Sequence, residues 1–90
     1  PILHWGGWYD TFLKGTLAAY TEIQAKGGKG ARGKQKLVIG PWTHFWPMIK
    51  TFGDFEMPAS GLNPPFDISP KRWFDHYLKE ELNAADELPN

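Results

Sequence analysis

Ninety residues with ten basic and ten acidic side chains, 41% hydrophobic and 16% aromatic, make at most one small domain. The cancelled charge argues against a nucleic-acid footprint or a polybasic membrane patch. Without cysteine there is no disulfide and no thiolate metal site, and no apolar run approaches the ~20 residues of a membrane span. A chain this short is marginally stable on burial alone. It opens on Pro1 inside an apolar run with no signal-peptide pattern, and so reads as a fragment.

"PILHW" (residues 1–5) is apolar, bounded by Gly6-Gly7 and too short for a helix, which predicts a buried strand. From Thr11 to about Lys26 the period changes. Phe12, Leu13, Thr16, Leu17, Tyr20 and Ile23 recur at three- and four-residue steps, one face of a helix. Asp10 stands where an N-cap belongs, and Gly27-Gly28 supply the stop. Residues 27–35 read as a lysine-bearing surface turn, and 36–40 as a second buried strand with Val38-Ile39 at its centre. Strand, helix and strand in succession predict a βαβ unit with parallel strands, and an α/β fold.

Residues 41–69 carry Pro41, Pro47, Pro58, Pro64 and Pro65 and no sustained period, which predicts a long loop. Ser69 and Pro70 then open a helix over about 70–82, capped by Ser69, with Trp73, Phe74, Tyr77, Leu78 and Leu82 as its apolar face. Residues 83–90 are polar and end in a proline turn, as a linker would.

Two glycine motifs mislead. "GKGARG" (28–33) spells G-x-G-x-x-G, and "GKGARGKQ" falls one residue short of a phosphate loop, with Gln35 where Ser or Thr is needed. Both motifs require a strand before and a helix after, so that helix-terminal amides face the phosphate. Here a helix precedes and a strand follows. His4, His44 and His76 are 40 and 32 residues apart, so no two histidines fall at a local ligand spacing and no metal site is expected. His4 and His76 read as packed, hydrogen-bonded histidines.

His44 differs, because it stands just past the second strand. In a parallel α/β sheet, catalytic groups gather beyond the carboxyl ends of the strands. If the strands are neighbours, Asp10 and His44 enter one crevice, where a carboxylate can fix the imidazole tautomer. Acid before histidine is the α/β-hydrolase order. A plain helix cap and a solvated loop histidine account for the same spacing, and both readings stand at this point.

Three stretches in order, "GGWYDTFLKGTLAAY", "KLVIGPWTH" and "RWFDHYLK", resemble the X-Pro dipeptidyl-peptidase and cocaine esterase family of α/β-hydrolases over roughly residues 1–82. The resemblance implies that Asp10 is the triad acid and His44 the general base. It implies that Phe12 and Phe45 face the substrate's acyl group, and that a β-rich domain follows the linker. In the family the nucleophile occupies a G-x-S-x-x-G elbow upstream, and neither Ser60 nor Ser69 has that setting. The implied protein is a serine hydrolase without cofactor or metal, acting on a small-molecule ester or a peptide. Its substrate stays open among esters, X-Pro peptides and β-lactam side-chain amides, and its compartment between cytoplasm and exterior. The chain alone is expected to be inert. The contrasting reading is a non-catalytic interaction module presenting Trp42, Trp46 and Trp73, whose uncovered sheet edges invite self-association.

Overall fold

The computed structural model describes residues 1–46, 48–62, 69–83, 85 and 87–88. Among these, β1 (Ile2–Gly7) pairs in parallel with β2 (Gln35–Gly40), from Ile2 opposite Gln35 to Gly7 opposite Gly40, and α1 (Leu13–Lys26) crosses between them. The expected βαβ unit and small α/β fold are present. Both strands are longer than the apolar runs suggest. β1 continues through Gly6 and Gly7, because neighbouring groups leave no room for side chains there. A Cβ on Gly6 would stand 2.9 Å from Ile39 Cδ1, and one on Gly7 would collide with the Trp42 carbonyl.

The pleat sends alternate residues to opposite faces. His4 and Gly6 meet α1: His4 sits edge-on to Tyr20 with ring centroids 5.8 Å apart, and Leu13 and Thr16 lie over Gly6. Leu3 and Trp5 face the other way, into an apolar groove shared with Pro70, Trp73 and Phe74 of α2 (Pro70–Lys79). In this sheet, two-stranded among the described residues, the Val38-Ile39 centre expected to be buried is half-buried, while the polar Gln35 and Lys36 are enclosed. Gln35 is satisfied there. Its amide donates to Ala31 O at 2.7 Å, its Oε1 accepts from His4 Nε2 at 3.0 Å, and its backbone N–H reaches Gln24 Oε1. His4 is therefore a packed, hydrogen-bonded histidine.

Helix α1 begins later than expected. Its N-cap is Phe12, without a side-chain cap bond, and Asp10 lies two residues upstream. Leu13, Thr16, Leu17, Tyr20 and Ile23 are half-buried as their spacing predicts, but Phe12, outside the helix, is exposed. Gly15 is exposed, and a Cβ there would meet nothing within 4 Å. Gly15→Ala should therefore stabilise the fold by roughly 0.4–1 kcal/mol through the unfolded chain's lost entropy, read as a raised urea midpoint at unchanged slope.

The 41–69 stretch is more ordered than its prolines suggest, apart from positions 47 and 63–68, which lie outside the described residues. Strands β3 (Thr51–Phe52) and β4 (Phe55–Glu56) form a hairpin. Gly53 takes φ 57°, the sign its two-residue loop demands. A 3₁₀ turn follows over Ala59–Leu62. Tyr9 packs on the hairpin, 4.4 Å from Phe52 between centroids.

Ser69 caps α2 as expected, accepting from Arg72 N–H at 3.2 Å with Pro70 behind it. The helix stops at Lys79 rather than 82, because Glu80 turns left-handed at φ 59° and its N–H caps Asp75 O. That stop removes Leu82 from the helix and leaves it fully exposed, with Phe74 and Leu78 also exposed. Of the expected apolar face, Trp73 is buried and Tyr77 half-buried. Where composition suggests a linker, Asn83 exchanges hydrogen bonds with Arg72, Ala85 is buried, and Lys36 Nζ donates to Leu88 O. Positions 84, 86, 89 and 90 lie outside the described residues.

Candidate active site

The register places Gly7 opposite Gly40, so β1 and β2 end level with one another. The chain then turns at both ends. After β1, Asp10 N–H bonds back to Gly7 O at 3.0 Å, closing a turn that lifts the Asp10 side chain above the sheet. After β2, Trp8 N–H reaches Gly40 O at 2.9 Å and Tyr9 N–H reaches Trp42 O at 3.0 Å. The two segments are thereby laced together beyond the strand ends. Asp10 and His44 meet there, with His44 Nδ1 at 3.2 Å from Asp10 Oδ2.

An ionised carboxylate only accepts hydrogen bonds, so Nδ1 carries the proton and the Nε2 lone pair of a neutral His44 is free. The other carboxylate oxygen, Oδ1, accepts Phe12 N–H at 2.8 Å. Asp10 thus serves two partners: it orders the entry to α1 and it orients an imidazole. The bond to Phe12 N–H belongs to a turn upstream of the helix, whose N-cap is Phe12 rather than Asp10. The Phe12 amide holds the Asp10 carboxyl below its ordinary value of 3.8, partial burial opposes this, and His44 adds to the lowering. Asp75 is lowered too, first by Lys71 and then by Lys79, whose own ammonium is raised by Asp75.

A carboxyl depressed in the folded state contributes stability that is present above its unfolded value and lost as pH falls through the folded one. Asp10 and Asp75 therefore predict a melting temperature that holds above the ordinary value of 3.8 and declines below it. Asp10→Asn combined with Asp75→Asn should flatten that decline in a pH series of thermal melts.

A cleft of about 210 Å³ opens beside the pair, lined by Trp5, Gly6, Gly7, Asp10, Trp42, Thr43, His44 and Trp46. Three indoles form its wall. Trp42 stacks on Trp46 at 4.4 Å and on Trp5 at 5.5 Å, and donates from Nε1 to Gly61 O at 2.6 Å. Trp5 Nε1, Trp46 Nε1 and Thr43 Oγ1 are buried without a partner among the described residues. Such orphaned polar atoms are rare in interiors that serve packing alone.

Phe12 and Phe45 do not line this cleft. They flank the imidazole instead, edge-on, with centroids 4.9 and 5.6 Å from His44, and both are largely exposed. The indoles read as exposed binding surface are not so: Trp42 and Trp73 are buried, and Trp46 is half-buried in the stack. Reasoning from sequence overlooked Trp5, Gly7 and Thr43 as cleft residues. The Gly-Gly at the end of β1 was the available signal for close approach. His76 lies on α2 and bonds Glu81 O at 2.9 Å. The glycine-rich segment is a turn between α1 and β2, with Gly30 and Gly33 at φ 87° and 73°, and no helix follows it. No three His, Asp or Glu side chains among the described residues stand close enough to hold a metal.

A family model described as X-Pro dipeptidyl-peptidase (S15 family) matches residues 1–46, half of the chain. The chain belongs to this family. No curated protein and no solved structure matches it. The S15 match spans β1, α1, β2, both members of the Asp10–His44 pair and all three cleft indoles. It ends at Trp46, short of the hairpin and α2, and so is narrower than the three-motif resemblance. Membership makes this a hydrolase-related chain of the dipeptidyl-peptidase type.

Proposed function

We propose that these residues are the acid–base part of a serine hydrolase with an α/β-hydrolase domain. The observation that carries the reading is the Asp10–His44 pair, 3.2 Å apart beyond the level ends of two parallel strands. In the reaction, His44 Nε2 removes the proton of a serine hydroxyl as its Oγ attacks the substrate's carbonyl carbon. Asp10 holds Nδ1–H and stabilises the imidazolium that results. The imidazolium then protonates the departing alkoxide or amine, leaving an acyl-enzyme. Water, deprotonated by the same nitrogen, releases the acid and restores the serine. The substrate is an ester, an X-Pro peptide or a side-chain amide.

Ser60 lies in the 3₁₀ turn, and Ser69 Oγ is engaged by Arg72 N–H; neither lines the cleft. The nucleophile therefore comes from outside these ninety residues, and the chain by itself is inert. The test is a fluorophosphonate probe and a p-nitrophenyl ester, given to the chain alone and to the chain joined behind the serine-bearing part of an S15 catalytic domain. We expect no label alone, and labelling with turnover when joined, abolished by His44→Ala. Label on Ser60 or Ser69, or a joined enzyme indifferent to His44→Ala, would overturn the reading.

A further inference from the structure

Among the backbone contacts that lace the Asp10 and His44 segments together, the closest approach involves a residue with no chemistry of its own. Gly7 and the Trp42 peptide touch so closely that a Cβ on Gly7 would overlap the Trp42 carbonyl carbon and oxygen. Both members of the pair are anchored to that contact. Asp10 N–H bonds Gly7 O at 3.0 Å, and Trp42 O, two residues before His44, accepts Tyr9 N–H at 3.0 Å. The Trp42 peptide has few other places to go, since its indole lies flat across Gly40 and is tethered to Gly61 O.

We infer that Gly7 is a positioning residue for the general base: by lacking a side chain it lets the Trp42 carbonyl seat on the Gly7–Asp10 turn, which sets His44 Nδ1 against Asp10. The inference rests on the acid–base reading above and deepens it. Hydrogen bonding falls off steeply with distance and angle, and the pair already stands at 3.2 Å, so a small displacement of the 42–44 segment breaks it. A methyl group at residue 7 must move the Trp42 peptide, because the atoms it meets are backbone and cannot rotate away. Gly15 is the internal control, since a methyl group there meets nothing.

The readout is the His44 tautomer, from ring ¹⁵N shifts of the ninety-residue chain in alkaline buffer, where an imidazole is neutral. Wild type and Gly15→Ala should show the Nδ1–H form. Asp10→Asn presents an amide donor to Nδ1 and should show the Nε2–H form. Gly7→Ala should resemble Asp10→Asn while keeping the far-ultraviolet dichroism of a folded chain. A role confined to stability would lower the melting temperature and leave the tautomer alone. Should Gly7→Ala not fold, an amide-to-ester change at Tyr9 decides the matter, because it removes the Tyr9 N–H to Trp42 O bond and adds no bulk; partial loss of the Nδ1–H form is expected. A folded Gly7→Ala or Tyr9 ester with the wild-type tautomer overturns the positioning role. If Asp10→Asn itself leaves the tautomer unchanged, the acid–base pairing fails and the inference falls with it.

Discussion

Trp42→Ala should cost about 3–5 kcal/mol, the range for deleting a large buried aromatic. For ninety residues at roughly 0.05–0.15 kcal/mol each, that removes much or all of the folding free energy. The magnitude follows from what the indole does. Trp42 is 3% exposed, covers Gly40, stacks against both Trp5 and Trp46, and ties the 3₁₀ turn to the strand end through Gly61 O. Few other large apolar side chains are enclosed to the same degree: the buried hydrophobic residues are Trp42, Met57, Trp73 and Ala85 among those described. The two-stranded sheet has little else to close around the void. Urea unfolding followed by circular dichroism should show the folded baseline shortened or lost. Trp42→Phe should sit between, since it keeps most of the stacking and loses the 2.6 Å bond to Gly61. A Trp42→Ala midpoint close to wild type would mean that the indole stack is not the core.

The strand–helix–strand order was readable because it depends on local signals. Apolar runs flanked by glycine and a three-to-four period over 13–23 need no knowledge of tertiary contacts. The ends of the elements were less readable. Gly6 and Gly7 look like a terminator in sequence, but they continue β1 because Ile39 and the Trp42 carbonyl occupy the space a side chain would need. The overextended α2 has the same kind of origin. Leu82 falls on the apolar helical stripe, and only the left-handed turn at Glu80 removes it from the helix. The hairpin at 51–56 escaped notice because two-residue strands are too short for alternation to register, although Gly53-Asp54 between Phe52 and Phe55 is a hairpin signal once sought.

At the site, topology put Asp10 and His44 within reach of one crevice, since parallel strands bring their carboxyl ends together, but it left a plain helix cap and a solvated loop histidine equally open. The cleft wall could not be read in this way. Trp5 belongs to the strand interior by pattern, and which face of the pleat it takes depends on where Trp42 and Trp46 fold back, a matter of packing 37 to 41 residues away in the chain. Phe12 and Phe45, which the resemblance sets against the substrate's acyl group, stand edge-on to the His44 imidazole and outside the cleft lining.

Asp10→Asn should lower kcat by about 10⁴-fold once the chain is joined behind the serine-bearing part of an S15 catalytic domain, with little change in fold. The substitution separates the two tasks of this carboxylate. The asparagine Oδ1 can still accept Phe12 N–H, the bond now made at 2.8 Å, so the turn into α1 survives. The atom facing His44 becomes an NH₂ donor, and Nδ1 must then offer its lone pair rather than its proton. The proton moves to Nε2, where the base is needed, and the serine keeps its hydrogen. Asp10→Ala, by contrast, forfeits both bonds and should lose stability as well as rate. The decisive comparison is therefore Asp10→Asn against wild type in kcat and in melting temperature together. A drop in kcat at nearly constant melting temperature identifies Asp10 as the group that orients His44. A drop of less than tenfold would leave Asp10 as a turn-former that happens to touch an imidazole, and the proton relay would have to be sought elsewhere.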